Sequence, residues 1–237
     1  MTEETEYLHG QGPLTEITDA ITDSTLPLMG LNNEKTLINI LDKIASFRTF
    51  ERLSRVSRFQ VAAVTTQKDA KTAELEAKLH DERLFMRSAH EIVSDKHQYI
   101  ADPSEAAVVF TAYCKAYGIL ASYILAVSSD LVSGKGSGKL DYWAFSRVPV
   151  DGKPRIINPS AAKQLKDKAS LGLIVQDDFK ADNKLFLPYA EGRDPHDMKI
   201  IGTDMPVSVT SMQGFKLMLP DIIQYLSENQ GNHQEDK

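Results

Sequence analysis

Four arginines, Arg48, Arg52, Arg55 and Arg58, follow one another at spacings of four, three and three residues. On an α-helix this spacing places all four side chains on one face. Guanidinium groups bind phosphates and carboxylates through paired, charge-assisted hydrogen bonds. The row therefore indicates a surface for the phosphates of a nucleic acid or for an acidic partner. The alternative is a solvated helix face whose charges pair locally, for example with Glu51.

A second concentration of positive charge lies further along the chain, where residues 135–168 contain eight basic and three acidic residues. Residues 1–33 carry six acidic residues and no lysine or arginine. This separation of charge favours head-to-tail self-association or binding to a polyanion, although ordinary variation in surface charge would also produce it. The residues that we expect to contact a nucleic acid or an acidic partner here are Lys135, Lys139, Arg147, Lys153 and Arg155.

Other groups of residues have types that could do chemistry, but not the pattern that the chemistry needs. The segment 133–140 has Ser133 and Leu140 where a phosphate-binding loop needs glycine and a hydroxyl residue. The acidic and histidine residues of 192–197 could bind a cation, but such clusters are more often surface turns. The lone Cys114 excludes a disulfide scaffold and a thiolate zinc site. We therefore expect no metal and no cofactor.

The composition is that of a folded globular protein, with 42% hydrophobic and 25% charged residues in 237. The net charge of -6 argues against a generally basic nucleic-acid coat. The most apolar stretch, 106–127, has Lys115 near its middle and is interrupted by Gly118, which favours a buried helix and strand over a membrane span. The acidic N-terminus lacks the order of a secretory signal. We expect a soluble, cytoplasmic protein that does not enter membranes.

The elements that would position these residues divide the chain into four parts. We expect an acidic N-terminal arm (1–33), a helical region (34–100), an α+β domain (101–227) and a polar tail (228–237). The arm is either loose or docked through Leu26, Leu28 and Met29. Predicted helices cover 33–64, 66–95, 103–117, 161–169 and 213–227, and predicted strands cover 121–127, 142–150, 155–158, 172–175, 185–187 and 206–209. The fold class is α+β, a helical N-terminal half followed by a mixed domain with an antiparallel sheet.

Residues 102–160 resemble the core of the transglutaminase-like cysteine hydrolases. The resemblance lies in a helix ending in Gly118-Ile119, a strand containing Trp143-Ala144-Phe145, the turn Asp151-Gly152 and a strand ending in Asn158-Pro159-Ser160. In that family the helix carries a nucleophilic cysteine at its N-terminus, and the two strands carry a histidine and an aspartate. The landmarks from 143 to 160 match the family's spacing without a gap.

The catalytic residues of that family are not present at the matching positions. The resemblance places Pro103, with Ser104 beside it, at the nucleophile, Trp143 at the base and Asn158 at the orienting carboxylate. Proline has no nucleophile, indole has no basic nitrogen, and an amide cannot stabilise an imidazolium. Cys114 lies three turns further along the helix, where we expect it to be a core residue. If the resemblance holds, it implies a relative without these catalytic groups.

From these observations we expect a protein that is not an enzyme and has no catalytic residues. It would be a structural or interaction protein that assembles with itself or with a protein partner through complementary acidic and basic surfaces. One alternative is a nucleic-acid-binding or packaging protein that uses the arginine-lined helix. A second alternative is a hydrolase of unrecognised class with Ser104 or the 192–197 segment in its site.

Overall fold

A computed structural model gives the fold of the protein. It describes residues 10–49, 87–95, 99–100, 102–135, 141–165, 175–176, 179–210 and 212–229. Within these ranges lie the α-helices α1 (Asp19–Thr25), α2 (Asn33–Ser46), α3 (Ala89–Ser94), α4 (Pro103–Ala116), α5 (Ser129–Val132) and α6 (Met212–Asn229). Short 3-10 helices cover Leu26–Leu28 and Pro159–Leu165. None of the helices in the described ranges is long and apolar enough to cross a membrane.

An antiparallel sheet forms the second layer. The strands of the described residues are β1 (Arg48–Thr49), β2 (Tyr99–Ile100), β3 (Ser122–Ser128), β4 (Tyr142–Val150), β5 (Lys153–Ile157), β6 (Val175–Gln176), β7 (Lys180–Ala181), β8 (Lys184–Asp194), β9 (Asp197–Ile200) and β10 (Pro206–Val207). In the antiparallel sheet they run in the spatial order β10-β9-β8-β3-β4-β5-β6, with β7 paired to β8. A separate parallel pair joins β1 to β2. Helices on an antiparallel sheet confirm the predicted α+β class.

Helix α4 lies at the centre of the fold and begins and ends where the sequence predicts. The Asp102 side chain accepts a hydrogen bond from the backbone N–H of Glu105, and Pro103 occupies the first helical position. Gly118, at a φ of +68°, lies two residues beyond the end of the helix, in the left-handed region that glycine adopts without strain. The side chains from Pro103 to Lys115 are all buried, because helices cover one side of α4 and the sheet covers the other.

The hairpin of β4 and β5 is also confirmed. Strand β4 has the predicted bounds, and Asp151 and Gly152 turn the chain with φ values of 52° and 74°. Two consecutive residues with positive φ match the twist of an antiparallel pair, which is why Asp-Gly favours this turn. By contrast, the predicted strand 185–187 is too short, since β8 runs over eleven residues. The pairing register between β8 and β3 shifts by a bulge between Leu125 and Ala126, and β8 continues through Pro188.

The prediction of one helix from 33 to 64 is wrong at residues 47–49, and residues 50–64 lie outside the described residues. Helix α2 begins at the predicted residue, Asn33, after the N-cap residue Asn32, but it ends at Ser46. Phe47 is buried and extended, and Arg48 then pairs with Tyr99 in the parallel pair. Arg48 therefore lies on a strand, not on a helix. Arg52, Arg55 and Arg58 lie outside the described residues.

The N-terminal segment is docked, and of the three residues that we expected to dock it only Leu28 packs against the main core. Leu14 and Ile21 enter the main core, whereas Leu26 and Met29 remain 68% and 72% exposed. The backbone N–H of Ala89 donates to the carbonyl of Leu14 at 2.8 Å, which ties the segment to α3. Apolar burial and backbone hydrogen bonds, acting on residues 10–25, therefore hold this segment on the fold.

Replacing Gly118 with alanine should lower the free energy of unfolding by about 1 to 2 kcal/mol. Nothing lies within 4 Å of the added Cβ, so the cost comes from the positive φ alone. Gly118→Asn is the matched control, because asparagine tolerates this backbone conformation and should lose less stability. Urea unfolding of the three proteins measures the difference, and equal losses for alanine and asparagine would contradict the backbone explanation.

Candidate functional site

The first turn of α4 is where the family resemblance places a nucleophile. Ser104 is 1% exposed, and its Oγ accepts a hydrogen bond from the Tyr123 hydroxyl at 2.9 Å. The Tyr142 hydroxyl is 3.4 Å from Oδ2 of Asp102, the cap of the helix. Two tyrosines from neighbouring strands therefore bind the start of α4, and the Ser104 hydroxyl is enclosed within the core.

An aromatic cluster extends from this turn to α6. The ring of Phe215 packs edge-on against Tyr142 at 5.5 Å and stacks on Tyr189 at 6.1 Å between ring centres. Among the described residues, the Tyr189 hydroxyl is a buried side-chain atom without a hydrogen-bond partner. A buried hydroxyl that makes no hydrogen bond loses its hydration without compensation. Packing of the ring against Phe215 must therefore hold Tyr189 in place.

Trp143 and Asn158 form a hydrogen-bonded pair on the other face of the sheet. The Trp143 Nε1–H donates to Oδ1 of Asn158 at 3.0 Å, and the Ser160 hydroxyl donates to the same oxygen at 2.7 Å. Trp143 belongs to a second core cluster with Phe145 and Phe186. Neighbouring residues of a strand point to opposite faces, so Tyr142 faces α4 and Trp143 faces away.

The positions that the resemblance assigns to catalysis are therefore not brought together. Pro103 and Ser104 lie on the α4 side of the sheet, and the Trp143–Asn158 pair lies on the opposite side. Trp143 and Asn158, at the positions that the resemblance assigns to the base and to the orienting group, are joined by a hydrogen bond. Neither of these side chains titrates near neutral pH. Cys114 is fully buried, and this burial raises the pKa of its thiol. A cysteine of this kind is unreactive.

A cluster of charged residues lies at the other end of α4. Lys115 is 8% exposed, and its Nζ donates to the backbone carbonyls of Gly10 at 2.8 Å and Arg193 at 3.3 Å. Asp194 is fully buried and accepts hydrogen bonds from the backbone N–H of Leu14 at 2.6 Å and of His196 at 2.8 Å. These contacts join three distant parts of the chain.

The burial of this cluster changes its acid–base behaviour. Loss of hydration lowers the pKa of Lys115 to about 8, although the nearby Asp194 carboxylate acts in the opposite direction. Loss of hydration also raises the pKa of Asp194, and its two backbone hydrogen bonds oppose that rise. Perturbed groups of this kind occur at active sites and also at structural contacts. Here the partners of both groups are backbone atoms of the N-terminal segment and of 193–196, which indicates a structural contact.

The 192–197 segment, which we considered as a cation site, is occupied by these contacts. Arg193 forms an ion pair with Asp197, and Asp194 binds the N-terminal segment. Gly12 approaches so closely that a Cβ there would collide with the Asp194 carboxylate. Within the described ranges, no three histidine, cysteine or acidic residues form a group that could hold a metal ion. The sequence signal for this cluster was Lys115 inside an apolar run, but its partners were not predictable.

The predicted basic surface is partly described. Lys135 and Lys153 are exposed, and Arg155 is half-buried on β5. Arg147 forms an ion pair with Glu191 on the neighbouring strand β8. Lys139 lies outside the described residues. Binding of a nucleic acid or an acidic partner by these residues stays a prediction.

No protein-family model matches the sequence, and no curated protein is significantly similar to it. The chain is similar to the crystal structure of a "putative cysteine protease from Cytophaga hutchinsonii", with a TM-score of 0.47 and 12% sequence identity. The match covers 88% of this chain and 60% of that protein, so the chain spans less than two thirds of its length.

This comparison contradicts our expectation that the protein is not an enzyme, because the matched structure is described as a protease. It does not identify catalytic residues in this chain.

Tyr189→Phe and Tyr123→Phe should affect stability differently, although both remove one hydroxyl from the same cluster. Tyr189→Phe removes an unpaired buried group, so the free energy of unfolding should stay unchanged or rise. Tyr123→Phe removes the donor to Ser104 and should cost about 1 kcal/mol or more. Chemical denaturation compares the two, and an equal loss in both would show that the Tyr189 hydroxyl has a partner.

The low pKa of Lys115 should make the protein more stable as the pH rises above 8. The folded state releases this proton near pH 8, whereas the unfolded chain keeps it to about 10.5, so higher pH favours the folded state. Between pH 8 and 9.5 the gain should be about 2 kcal/mol. Lys115→Met, which cannot titrate, is the control. Urea unfolding of both proteins at the two pH values isolates the effect, and parallel pH profiles would exclude it.

Proposed function

We propose that the protein is an interaction protein that associates with other copies of itself through an acidic and a basic surface. The acidic surface consists of the exposed residues Glu16, Asp19, Asp23 and Glu34 of the N-terminal segment and α2. The basic side is made up of Lys135, which precedes β4, and Lys153, which follows it; both are exposed, and they lie at opposite ends of that strand as two separate contact points.

The observation that carries the proposal is that these six side chains have no ion-pair partner among the described residues. Some other charges of the described residues are paired within the chain, such as Lys184 with Asp141 and Lys199 with Asp204. The exposed charges of residues 16–34 are all negative, whereas exposed Asp130 and Asp151 lie near Lys135 and Lys153 in the second segment. Complementary charges favour the orientation that brings opposite charges together, and they disfavour orientations that bring like charges together.

Two different surfaces that bind each other produce a head-to-tail contact. Each copy then keeps one acidic and one basic surface free, so the association continues into a ring or an open chain. The attraction between exposed charges is screened by salt, and at 0.15 M it extends only about 8 Å. Assemblies of this kind should therefore grow at low salt and shorten at high salt.

Charge reversal should separate the two surfaces. We expect the double variants Asp19→Lys/Asp23→Lys and Lys135→Glu/Lys153→Glu to be monomeric at salt concentrations where the natural protein associates, because like charges then face each other. In an equal mixture of the two variants, the reversed acidic residues of one variant face the reversed basic residues of the other, and the unchanged residues of the two variants also match. The mixture should therefore restore association. Sedimentation velocity at low and high salt measures the masses.

Matched controls are Lys216→Glu and Asp221→Lys, which reverse exposed charges on α6 and should leave the association unchanged. Monomers of the natural protein at every salt and protein concentration would overturn the proposal. Association that requires co-purified nucleic acid, visible in the ratio of absorbance at 260 and 280 nm, would favour the nucleic-acid alternative instead.

A further inference from the structure

The N-terminal segment, residues 10–25, contains a tight turn at Gly12-Pro13-Leu14-Thr15. The backbone N–H of Thr15 donates to the carbonyl of Gly12 at 3.1 Å, and this hydrogen bond closes the turn. Pro13 lies at the second position of the turn, where its fixed φ is favourable. The shape of the turn is therefore set largely by four consecutive residues.

The turn seats on Arg193 and Asp194 at the end of β8, which we call the turn site. The Leu14 N–H donates to the Asp194 carboxylate at 2.6 Å, and the Thr15 hydroxyl donates to the Arg193 carbonyl at 3.1 Å. A side chain in place of Gly12 would collide with the Asp194 carboxylate. The turn site therefore accepts a turn with glycine, an apolar residue and a hydroxyl residue at these three positions.

Docking of the segment takes two charged groups out of water. Asp194 is fully buried under the turn, and the Lys115 ammonium, which is 8% exposed, donates to the carbonyl of Gly10 at 2.8 Å. The loss of hydration lowers the pKa of Lys115 to about 8 and raises the pKa of Asp194. Release of the segment returns both groups to water. The segment therefore leaves this contact more readily than it would leave an apolar contact of the same size.

The connection between the segment and α2 allows the segment to be redirected. Residues 26–32 lie between α1 and α2, and seven extended residues span up to about 25 Å. Leu26, Met29 and Leu31 are exposed, so straightening the connection uncovers little apolar surface. The hydrogen bonds between α2 and this connection use backbone groups that water can satisfy instead.

We propose that copies of this chain exchange the N-terminal segment, so that the turn of one copy occupies the turn site of a second copy. The second copy is the occupant because it carries the glycine, leucine and threonine that the turn site accepts. The exchanged segment makes the same contacts in the partner copy as in its own, and only the connection 26–32 changes conformation. This inference goes beyond the proposed function because it uses none of the exposed charges.

Two variants that fit each other but not themselves test the exchange. Gly12→Val places a side chain against the Asp194 carboxylate, and Asp194→Ala removes that carboxylate. In an exchanged pair of the two variants, the natural glycine of one copy meets the natural aspartate of the other, and the two substituted positions also face each other. We expect the mixture to dimerise at least tenfold more tightly than either variant alone.

Sedimentation velocity in about 1 M salt makes the measurement, because screening then limits charge attraction to about 3 Å and removes the association proposed above. Gly12→Val mixed with Asp204→Ala is the matched control, since Asp204 is exposed and lies outside the turn site. If Gly12→Val with Asp194→Ala is no more dimeric than this control, the inference is overturned and the proposed function stands.

A labelled peptide of residues 10–25 gives a measurement that does not need Asp194→Ala to fold. The peptide should bind full-length Gly12→Val protein at least tenfold more tightly than the natural protein, whose own segment fills the turn site. The same peptide carrying Gly12→Val is the control and should bind at least tenfold more weakly. Fluorescence anisotropy measures the affinities, and equal binding of the two peptides to the Gly12→Val protein would overturn the turn site.

Discussion

The complete burial of α4 is the constraint on which the rest of the fold depends. A helix that is covered on every side cannot leave its polar side chains in water, so each of them needs a partner within the protein. Five polar side chains of α4 have such partners, and each partner comes from a different part of the chain. Tyr123 binds Ser104, Arg87 binds Glu105, Ser146 lies 3.2 Å from Thr111, Ser24 binds Tyr113, and the Gly10 and Arg193 carbonyls bind Lys115. These contacts fix the rotation of α4 and, with it, the positions of the sheet and of the N-terminal segment.

Local sequence signals were sufficient where the structure is decided by neighbouring residues. Asp102-Pro103 started α4, and Asp151-Gly152 formed the hairpin turn, because a cap and a turn depend on a few consecutive residues. Arg48 shows the limit of this reasoning. The helical spacing of the arginines was genuine, but pairing with Tyr99, fifty-one residues away, extends the chain at that point. Long-range backbone pairing can override a local pattern and is not visible in it.

The arrangement around Trp143 and Asn158 was not predictable from the sequence. The family resemblance named these residues only as replaced catalytic positions, and the structure shows a hydrogen bond between them. Which face of the sheet they occupy was not predictable, because alternation along a strand fixes relative directions only. A shift of one residue along β4 changes the face of the sheet that a side chain occupies. Tyr142 reaches the start of α4, whereas Trp143 enters the second core cluster. The contacts of Lys115 and Asp194 were beyond prediction because they join residues far apart in the sequence.

The hydrogen bond between Leu14 and Asp194 spans 180 residues and therefore has a consequence during synthesis. At roughly 5 to 20 residues per second, a ribosome needs roughly 9 to 36 s to make that length of chain. Throughout this interval Leu14 and Ile21 have been made, but the Asp194 carboxylate that fastens their segment does not yet exist. The contact of the N-terminal segment with Asp194 can therefore form only late in synthesis, whereas its backbone hydrogen bond to Ala89 can form 105 residues earlier.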